Sequence, residues 1–416
     1  MNRIFFYIIF FNIQLIYSSS CNIIFTKSTN HTKYFINSLI NCDTIIINEG
    51  IYFLEFDKIY LKSTAVISSK GNVEIHAIKT QKVNSKSNPS ALFIAENPKN
   101  IDISNIKFYD TGNRAYAVKV TNNDFEKILV STIQIYDNTA DEIGLIWIGP
   151  KEGFSFNRSY LNDEFISWYE NGPIKRNLWK SNILIKNNIL NGDKKFYSGN
   201  FKKPGIGVGV SAITLLYTNN IFVESNIIYN YRFGIWAYGG ASRDNNKNVI
   251  PLSSLSTNIF ISKNRIFETY SPIWFSKSSN INVFNNYSSN NQDVAIDFEG
   301  CYNANIYFNN VSNSRGGALT VLNGSENISF FNNVIDMKNF NKNNNIVLIR
   351  DSNKNIKYIN NKFIFYDDRV LKRNARIMLK KQKKSSESNK SIEFINNTLL
   401  GVDILNSDGS SLIINN

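Results

Sequence analysis

The feature that most constrains this chain is a short asparagine-centred motif that returns along most of its 416 residues. The copy S-N-I-L-I-K-N-N-I-L begins at Ser181, and the copy E-N-I-S-F-F-N-N-V-I begins at Glu326. Successive leading asparagines are separated by 38, 38, 22, 25, 22 and 28 residues, and they are Asn182, Asn220, Asn258, Asn280, Asn305, Asn327 and Asn355. A unit of about two dozen residues with variable insertions is typical of a solenoid.

Each copy carries two or three short runs of β-branched and aromatic residues that are separated by Asn-Asn or Ser-Asn. Such runs favour strands. Asparagine tolerates left-handed backbone angles, so it can turn the chain sharply between strands. If asparagine recurs at the same corner of every coil, its amides can stack in a ladder along the axis. The sequence therefore predicts an all-β chain folded as a single-stranded right-handed parallel β-helix.

The repeat resembles the pectate-lyase-like superfamily, and the resemblance covers roughly residues 43–412. The run D-T-I-I-I-N-E-G-I-Y-F-L, which begins at Asp43, is similar to the first coil of such proteins. The resemblance implies a β-helix of about a dozen coils. A leucine-rich horseshoe has repeats of similar length, but it needs spaced leucines and a helical segment in each repeat, and this chain offers neither. The shared fold does not by itself define a reaction.

The N-terminus has the pattern of a secretory signal peptide over residues 1–20, with a basic start, an apolar run and small residues at its end. A membrane anchor is the alternative, but the run is short and Asn12 and Gln14 interrupt it. We therefore expect an exported protein, either secreted or held at the cell surface or in the periplasm. No later stretch is long and apolar enough to span a bilayer. Residues 21–42 are expected to form an N-terminal segment or cap.

The chain has three cysteines, Cys21, Cys42 and Cys301, which are too few for a disulfide framework. Cys21 and Cys42 could pair with each other, whereas Cys301 is expected to pack as a small apolar residue. Cys21 also follows three serines, as in a bacterial lipoprotein cleavage site, so a lipid anchor at Cys21 is an alternative. Ser18 stands where such sites usually carry leucine.

The net charge of +13 has one main local source, the segment 369–390. Nine of its residues are Lys or Arg and one is Glu, so it contributes +8, and 13 − 8 leaves +5 for the rest of the chain. Such a run usually forms a solvated loop or a short surface helix. We favour a basic surface loop over a polyanion site, and no nucleic-acid partner is expected.

The repeat allows the short strands that follow the Asn-Asn corners to be overlaid. Two columns of apolar residues then point inward, one of them Ile235, Ile273, Ile296, Leu319 and Val347 and the other Ala237, Phe275, Phe298, Val321 and Ile349. Between them, one outward column reads Trp236, Trp274, Asp297, Thr320 and Leu348, and its neighbour reads Tyr238, Ser276, Glu299, Leu322 and Arg350. Thr214 extends the first outward column, and Trp147 is a further candidate for it.

The outward tryptophans indicate a groove. All five Trp residues lie between positions 147 and 274, and two of them, Trp168 and Trp179, fall in an insertion near 149–180. Further insertions are expected near 192–210 and 239–257. Insertions on one face of a solenoid commonly line a binding site, and aromatic planes beside polar groups suit sugar rings. The alternative is that these tryptophans pack beneath the insertions.

The sequence A-I-D-F-E-G-C places Asp297 and Glu299 on the same side of one strand, roughly 6 to 7 Å apart. That spacing suits a pair of acid and base carboxylates. Asp293 could supply a third oxygen ligand, in which case the three carboxylates would suit Ca²⁺. The alternative is a set of solvated acids with no role, and a protein without any cofactor. The only two histidines are His31 and His76, so a His-based triad or a zinc site is not expected.

Two basic residues complete the candidate site. The resemblance implies that lyase members of the superfamily use Lys, Arg or Tyr as the base, sometimes with Ca²⁺, and Lys277 and Arg315 flank the Trp274 and Thr320 strands. Both are equally suited to the surface. Neither G-D-D nor N-T-D-G, which polygalacturonase-like members carry, occurs in the chain.

We therefore expect an exported, monomeric protein that binds a polysaccharide and cleaves it. Asp297 and Glu299 would be the catalytic residues, and the expected substrate contacts are Trp236, Tyr238, Trp274, Lys277, Arg315 and Thr320. Hydrolysis and β-elimination on a uronic acid both remain open. The non-enzymatic alternative is a surface adhesin or a structural β-helix.

Overall fold

A computed structural model gives the structure of the protein, and it describes residues 20–23, 31–55, 59–77, 91–96, 98–110, 116–121, 127–136, 144–149, 182–192, 211–216, 218–239, 256–338, 345–366, 374–381 and 388–415. Residues 1–19 of the expected signal segment, Trp168, Trp179, most of the three expected insertions and part of the basic segment 369–390 lie outside the described residues.

The chain winds into coils with three faces, and every strand pairs in parallel with the equivalent strand of the next coil. Face A consists of β1 (Ser20–Ile23), β2 (Thr44–Leu54), β4 (Thr64–Ala77), β6 (Asn100–Ser104), β9 (Lys127–Ser131), β12 (Ile183–Lys186), β15 (Asn219–Glu224), β18 (Ser256–Ser262), β21 (Ser278–Phe284), β24 (Tyr302–Tyr307), β27 (Glu326–Phe331), β30 (Lys354–Ile359), β33 (Lys390–Ile395) and β36 (Leu412–Asn415).

Faces B and C complete each coil. Face B consists of β7 (Lys107–Asp110), β10 (Gln134–Tyr136), β13 (Ile189–Asn191), β16 (Ile227–Tyr229), β19 (Arg265–Phe267), β22 (Tyr287–Ser289), β25 (Asn310–Ser312), β28 (Val334–Lys338), β31 (Lys362–Tyr366) and β34 (Thr398–Leu400). Face C consists of β3 (Ile59–Tyr60), β5 (Ala91–Glu96), β8 (Tyr116–Thr121), β11 (Gly144–Gly149), β14 (Ser211–Leu216), β17 (Phe233–Tyr238), β20 (Ser271–Ser276), β23 (Val294–Glu299), β26 (Gly317–Leu322), β29 (Asn345–Arg350), β32 (Ala375–Lys380) and β35 (Val402–Asn406).

Faces A and B belong to one sheet of 24 strands, because the long β4 pairs with β6 through its first part and with β7 through its last part. Face C is a separate sheet of 12 strands. The predicted all-β, right-handed parallel β-helix is thereby confirmed, and the strand count of face C agrees with about a dozen coils.

The core fills the space between the three faces. Both predicted inward columns are buried throughout, with Ile235, Ile273 and Phe275 fully inaccessible to solvent. Because equivalent residues of successive coils lie about 4.8 Å apart, identical side-chain types stack on one another. The rings of Phe275 and Phe298 stack with their centroids 5.1 Å apart. Further along the axis, Tyr358 stacks between two phenylalanines with centroid distances of 4.7 and 4.6 Å.

The Asn-Asn pairs have two separate roles at the corner between faces A and B. The first residue of the pair has a left-handed backbone and turns the chain, as at Asn285 and Asn332 with φ of 55° and 56°. The second residue points inward and joins a ladder of hydrogen bonds along the axis. In this ladder each amide donates to the next, through Asn188, Asn226, Asn264, Asn286, Asn309, Asn333, Asn361 and Asn397. The predicted turn and the predicted ladder are both confirmed.

One position of the sequence alignment was wrong. Asn305 faces Asn282 on the neighbouring strand, so it is not the equivalent of Asn280. Asn303 takes that place, with φ of 53° and a side-chain hydrogen bond to Asn280. The error arises because Asn305 is followed by isoleucine, as the leading asparagines of the other copies are, whereas Asn303 is followed by Ala304.

The N-terminal end of the described core is covered by helix α1 (His31–Asn41). Phe35 and Leu39 are buried against the first coils, and the rings of Phe35 and Phe93 lie 6.1 Å apart. Cys42 at the end of this segment is disulfide-bonded, whereas Cys301 is a free, buried thiol. With its 11 residues, α1 cannot cross a bilayer, and the described ranges contain no helix that combines the necessary length and hydropathy.

Candidate functional site

The outward side of face C carries the predicted site residues in the predicted register. Adjacent strands pair Trp147 with Thr214, Thr214 with Trp236, Trp236 with Trp274, Trp274 with Asp297, and Asp297 with Thr320. The neighbouring column places Tyr238, Ser276, Glu299, Leu322 and Arg350 in line. Strict alternation along each strand puts both columns on the outside of the sheet. Both predicted outward columns are therefore present.

An aromatic cluster occupies the N-terminal half of the first column. The indoles of Trp236 and Trp274 stack with their centroids 5.3 Å apart and an angle of 13° between the planes. Phe233, at the start of β17, contacts both indoles, with centroid distances of 6.1 Å to Trp236 and 5.3 Å to Trp274. Tyr238 meets the edge of Trp236 at 5.9 Å. Both stacked indoles are half-buried.

Part of this cluster is structural packing. Trp147 is only 3% exposed and belongs to a small apolar cluster outside the sheet, together with Ala91, Ile94, Tyr116 and Leu216. Trp236 and Tyr238 pack against the same cluster. Lys119 lies over the Trp147 ring at 5.4 Å from its centroid, an arrangement in which the ring quadrupole attracts the cation. The packing alternative therefore applies to Trp147 and in part to Trp236.

Trp274 differs from the other tryptophans of the column. Its aromatic neighbours, Trp236 and Phe233, both come from β17, on the N-terminal side. On the opposite side, the next residue of the column is the short Asp297. The indole nitrogen Nε1 of Trp274 is buried and has no hydrogen-bond partner within the described residues. An indole with a stacking face and an N–H donor therefore adjoins a carboxyl group.

Asp297 lies in an environment that favours its neutral form. The residue is half-buried, and Thr320 donates a hydrogen bond from its hydroxyl to the carboxyl oxygen Oδ1. Burial raises the pKa of Asp297 well above its ordinary value, and the charges of Glu299 and Asp293 raise it further. The Thr320 hydrogen bond and the charge of Arg350 act in the opposite direction. The balance of these effects raises the pKa of Asp297 and so favours its protonated form.

Glu299 follows two residues later on the same strand and the same face, roughly 6 to 7 Å away along the strand. Asp293 comes just before β23, where Ser271 donates to its Oδ2 over 3.4 Å. Burial raises the pKa of Asp293. In the described part of the chain, no three His, Cys, Asp or Glu side chains come together as a metal site. The Ca²⁺ site considered above for Asp293, Asp297 and Glu299 stays a prediction.

The two basic candidates lie at corners rather than in the outward columns. Lys277 follows β20 with φ of 53°, is 9% exposed, and donates from Nζ to the main-chain oxygen of Glu299 over 3.4 Å. Arg315 precedes β26, is exposed, and donates from Nη1 to Gln292 over 3.0 Å. Thr320 is 4% exposed, so its hydroxyl serves Asp297 rather than an open surface.

The sequence overlay did not single out two residues of this surface. Phe233 contacts Trp274, and its signal was the alternation in F-G-I-W-A-Y, which places Phe233 on the same side as Trp236. Arg350 closes the second column, with its Nε 3.3 Å from Asp351, and its charge acts on Asp297. The overlay placed Arg350 in the second outward column, but nothing in the sequence indicates that its charge acts on Asp297 in another coil.

The outward surface of face C thus offers one chemistry. It combines a carboxyl whose pKa is raised, a second carboxyl on the same strand, and an indole on the adjacent strand. A carboxyl with a raised pKa beside another carboxyl is the arrangement in which two groups can divide the roles of general acid and general base.

No protein-family profile and no curated protein sequence matches this chain. Solved structures with the same fold do match. The surface protein and adhesin PfbA of Streptococcus pneumoniae has 11% sequence identity and a TM-score of 0.44, over 92% of this chain and 96% of that one. Endopolygalacturonase I from Stereum purpureum, in complex with two galacturonates, has 10% identity and a TM-score of 0.43, over 95% of this chain and 99% of that one.

A third match is the catalytic domain of a GH87 alpha-1,3-glucanase in complex with nigerose. It has 9% identity and a TM-score of 0.49, over 95% of this chain and 68% of that one. The matched structures thus include both enzymes that act on polysaccharides and an adhesin. At these identities the likeness concerns the fold alone, and the function must be argued from the site of this chain.

Proposed function

We propose that the protein binds a polysaccharide across face C and hydrolyses a glycosidic bond there. The observation that carries this proposal is the register of Trp274 and Asp297, which are directly opposed on adjacent strands. A sugar ring stacked on Trp274, on the side away from Trp236, would lie over the Asp297 coil, about 4.8 Å further along the axis. The glycosidic oxygen of that sugar would then be next to a carboxyl whose raised pKa favours the protonated form.

In this mechanism Asp297 protonates the leaving-group oxygen and Glu299 acts as the general base on water. Their separation of roughly 6 to 7 Å lies between the short distance of retaining glycosidases and the longer one of inverting enzymes, so it does not select the stereochemical outcome. Trp236 extends the stacking surface behind Trp274, and Tyr238 adjoins it. Thr320 holds the Asp297 carboxyl in place through its hydroxyl.

Hydrolysis is preferred to β-elimination for a physical reason. The resemblance implies that lyases of this superfamily use Lys, Arg or Tyr as the base, whereas the carboxyl in the centre of this site has a raised pKa, which favours the role of an acid. The basic candidates Lys277 and Arg315 donate to Glu299 and to Gln292 at the corners. The site therefore has an acid where the chemistry of hydrolysis needs one.

The decisive experiment is a polysaccharide panel with two readouts, reducing ends and absorbance near 230 nm, since unsaturated uronate products absorb there. Hydrolysis predicts new reducing ends without the absorbance. Asp297→Asn keeps the volume and removes the transferable proton, so turnover should fall by roughly 10² to 10⁴-fold while binding persists. A folded Asp297→Asn protein with unchanged turnover would place the chemistry elsewhere, and an increase in absorbance would indicate a lyase.

A non-enzymatic surface adhesin or structural β-helix is the second candidate, and the packing of Trp236 and Tyr238 against an apolar cluster favours it because these rings then serve the fold rather than a reaction. In an adhesin the same surface would hold glycan without cleaving it. Retention on a glycan array, together with no product in either readout, would support that function.

Export, and retention at the surface or in the periplasm, form part of the proposal. Its basis is the signal-like segment 1–20, and a lipid anchor at Cys21 remains the alternative to free secretion. Mass spectrometry of the N-terminus of the protein made in its own cells distinguishes an unmodified cleaved end from a lipidated one. The monomeric state and the lack of a nucleic-acid partner are likewise proposals.

A further inference from the structure

The corner between faces A and B, away from the acids on face C, carries an exposed apolar surface over three successive coils. We call it the aromatic ridge. It consists of Phe284, Phe331 and Tyr307 at the ends of face A strands, Phe308 at the corner, and Tyr287 and Val334 at the starts of face B strands. Phe308 is 56% exposed, and Tyr287 and Val334 are each 38% exposed. Contiguous exposed apolar surface on a soluble fold commonly marks an interaction site.

Phe308 has an unusual backbone for a bulky residue. Its φ is 55°, in the left-handed region, where the side chain of a non-glycine residue costs free energy. The equivalent corner positions of the other described coils hold smaller or flexible polar residues, namely Asn105, Thr132, Asn187, Ser225, Lys263, Asn285, Asn332, Asn360 and Asn396. A strained residue that is also largely exposed gains little from packing. Such an outlier is a reason to look for function.

The ring orientations define what the ridge presents. Phe284 and Tyr307 stack with centroids 5.0 Å apart, and Tyr307 and Phe331 stack with centroids 4.8 Å apart, both nearly parallel. The faces of these rings are therefore largely covered by one another, and their edges point outward. Phe308 meets Tyr307 edge-on at 5.7 Å. The three stacked rings therefore present their edges rather than the open ring faces on which sugars stack.

The ridge has cations at both of its ends along the axis. One coil before it, Lys263 lies at the corner and Arg265 begins the face B strand, and one coil after it, Lys362 begins the face B strand. All three side chains are exposed. In these five coils, the last residue of the face A strand, the corner residue and the first residue of the face B strand include these three cations and no carboxylate. These positions are Ser262, Lys263, Arg265, Phe284, Asn285, Tyr287, Tyr307, Phe308, Asn310, Phe331, Asn332, Val334, Ile359, Asn360 and Lys362. The nearest carboxylate on β28, Asp336, lies beyond this set.

We propose that the aromatic ridge docks the protein on a lipid surface that contains anionic headgroups. Aromatic side chains settle at the boundary between headgroups and acyl chains, and basic side chains beside them are attracted by the negative surface potential. A second copy of the chain is a poorer occupant, because an isologous contact would bring the same cations together. A glycan is a poorer occupant because the three stacked rings, Phe284, Tyr307 and Phe331, cover one another's faces. This inference is independent of the chemistry proposed for face C.

The test uses the full chain and sedimentation with vesicles of phosphatidylcholine, either alone or with roughly a quarter phosphatidylglycerol. The central variant is Phe308→Asn, which installs the residue that other corners carry. It should lower partitioning onto the anionic vesicles roughly tenfold, as expected from loss of a half-inserted aromatic side chain. Its thermal midpoint should stay equal or rise, because Asn tolerates the left-handed backbone. The double variant Lys263→Glu, Lys362→Glu should lower partitioning onto the anionic vesicles by a comparable or larger factor.

Matched controls are Phe222→Asn, an exposed aromatic residue on face A outside the ridge, and Lys70→Glu, an exposed cation of the first coils. Both should bind vesicles as the parent chain does. All variants share the same N-terminus, so a contribution from residues 1–20 cancels in the comparison. Equal binding by Phe308→Asn and its parent would overturn the proposal. It would also be overturned if the protein bound both vesicle types equally. The same holds if the binding of a soluble acidic protein or a glycan, and not the binding of vesicles, depended on Phe308.

Discussion

Trp274 and Asp297 are paired residues on the adjacent parallel strands β20 and β23, with both side chains on the outside of face C. The indole is stacked from one side by Trp236, and the column continues on its other side with the carboxyl. In a parallel β-helix the coil repeat fixes this distance at about 4.8 Å, close to the length of one sugar unit in an extended chain. A stacking plane and a proton donor are thereby set one repeat apart by the backbone itself.

Replacement of Trp274 with alanine should weaken glycan binding first. The loss of a stacking surface that a sugar covers should cost roughly 1 to 3 kcal/mol of binding free energy. Calorimetry with the best ligand of the panel measures this directly. Phe260→Ala is the matched control, since Phe260 stacks on Phe222 at 4.9 Å on face A, and its affinity should equal that of the parent. Unaltered affinity of Trp274→Ala with a lower melting temperature would identify Trp274 as packing.

The stability of the protein should depend on pH through Asp297. Its pKa is raised in the folded state, so between the unfolded value of about 3.9 and the raised value the folded state binds more protons than the unfolded state. Stability from this group is therefore lost as the pH rises through that window. Asp297→Asn cannot ionise, so it should melt at a higher temperature than its parent at neutral pH and at nearly the same temperature at acidic pH.

Melting curves of the two proteins across the acidic to neutral range test this sign. Asp336→Asn, a change at an exposed carboxyl of β28, serves as the control and should follow its parent at every pH. If Asp297→Asn were instead less stable than its parent at neutral pH, contacts that the Asn side chain cannot make would outweigh the cost of burying the carboxyl.

Thr320→Val should move the pH dependence of turnover. The Thr320 hydroxyl donates to Asp297 and lowers its pKa, so removal of the hydroxyl should raise the pKa of Asp297 further. A general acid with a higher pKa remains protonated to higher pH, so the alkaline limb of the kcat/KM profile should shift upward. Thr320→Ser retains the hydroxyl and should keep the parent profile. A downward shift in Thr320→Val would mean that Asp297 works as the ionised group.

The register of face C could be predicted because the sequence shows both the alternation of side chains within a strand and the repetition between coils. Trp236, Trp274 and Asp297 fall in line as soon as the coils are overlaid. Alternation assigns a side chain to the inside or the outside of the sheet, but it does not give its depth. The burial of Asp297 and Thr320 and the apolar cluster around Trp147 come from contacts across several coils and from the surroundings of each strand. They therefore required the structure.

Phe308 shows a second limit of the sequence argument. The alignment relied on the Asn-Asn pair as the marker of the corner, and at residues 308–310 a phenylalanine has taken the turning position while Asn309 keeps its place in the ladder. The pair Asn309-Asn310 then indicated a corner one residue too late. The turning role and the ladder role can be carried by different residue types, and only the ladder role needs a buried amide.

The ladder role of Asn309 should make its amide important for stability. Its amide accepts from the backbone and side-chain nitrogens of Asn286 at 3.0 Å each, donates to Asn333 at 3.0 Å, and donates to the main-chain oxygen of Val283 at 2.8 Å. Asn309→Ala leaves buried donors and an acceptor without partners, and each such group costs about 1 to 3 kcal/mol. The free energy of unfolding should therefore fall by roughly 2 to 4 kcal/mol.

The neighbouring Asn310→Ala removes an amide of the same type from an exposed position and should change the free energy of unfolding by less than about 0.5 kcal/mol. Urea titrations of both variants, followed by circular dichroism in the β region, give the comparison. Because coils interact mainly with their neighbours, the Asn309→Ala defect should also appear locally, as faster amide exchange in β21, β24 and β27 than in the first coils. Equal losses of unfolding free energy in the two variants would mean that the inward amide of Asn309 contributes no more to stability than an exposed amide.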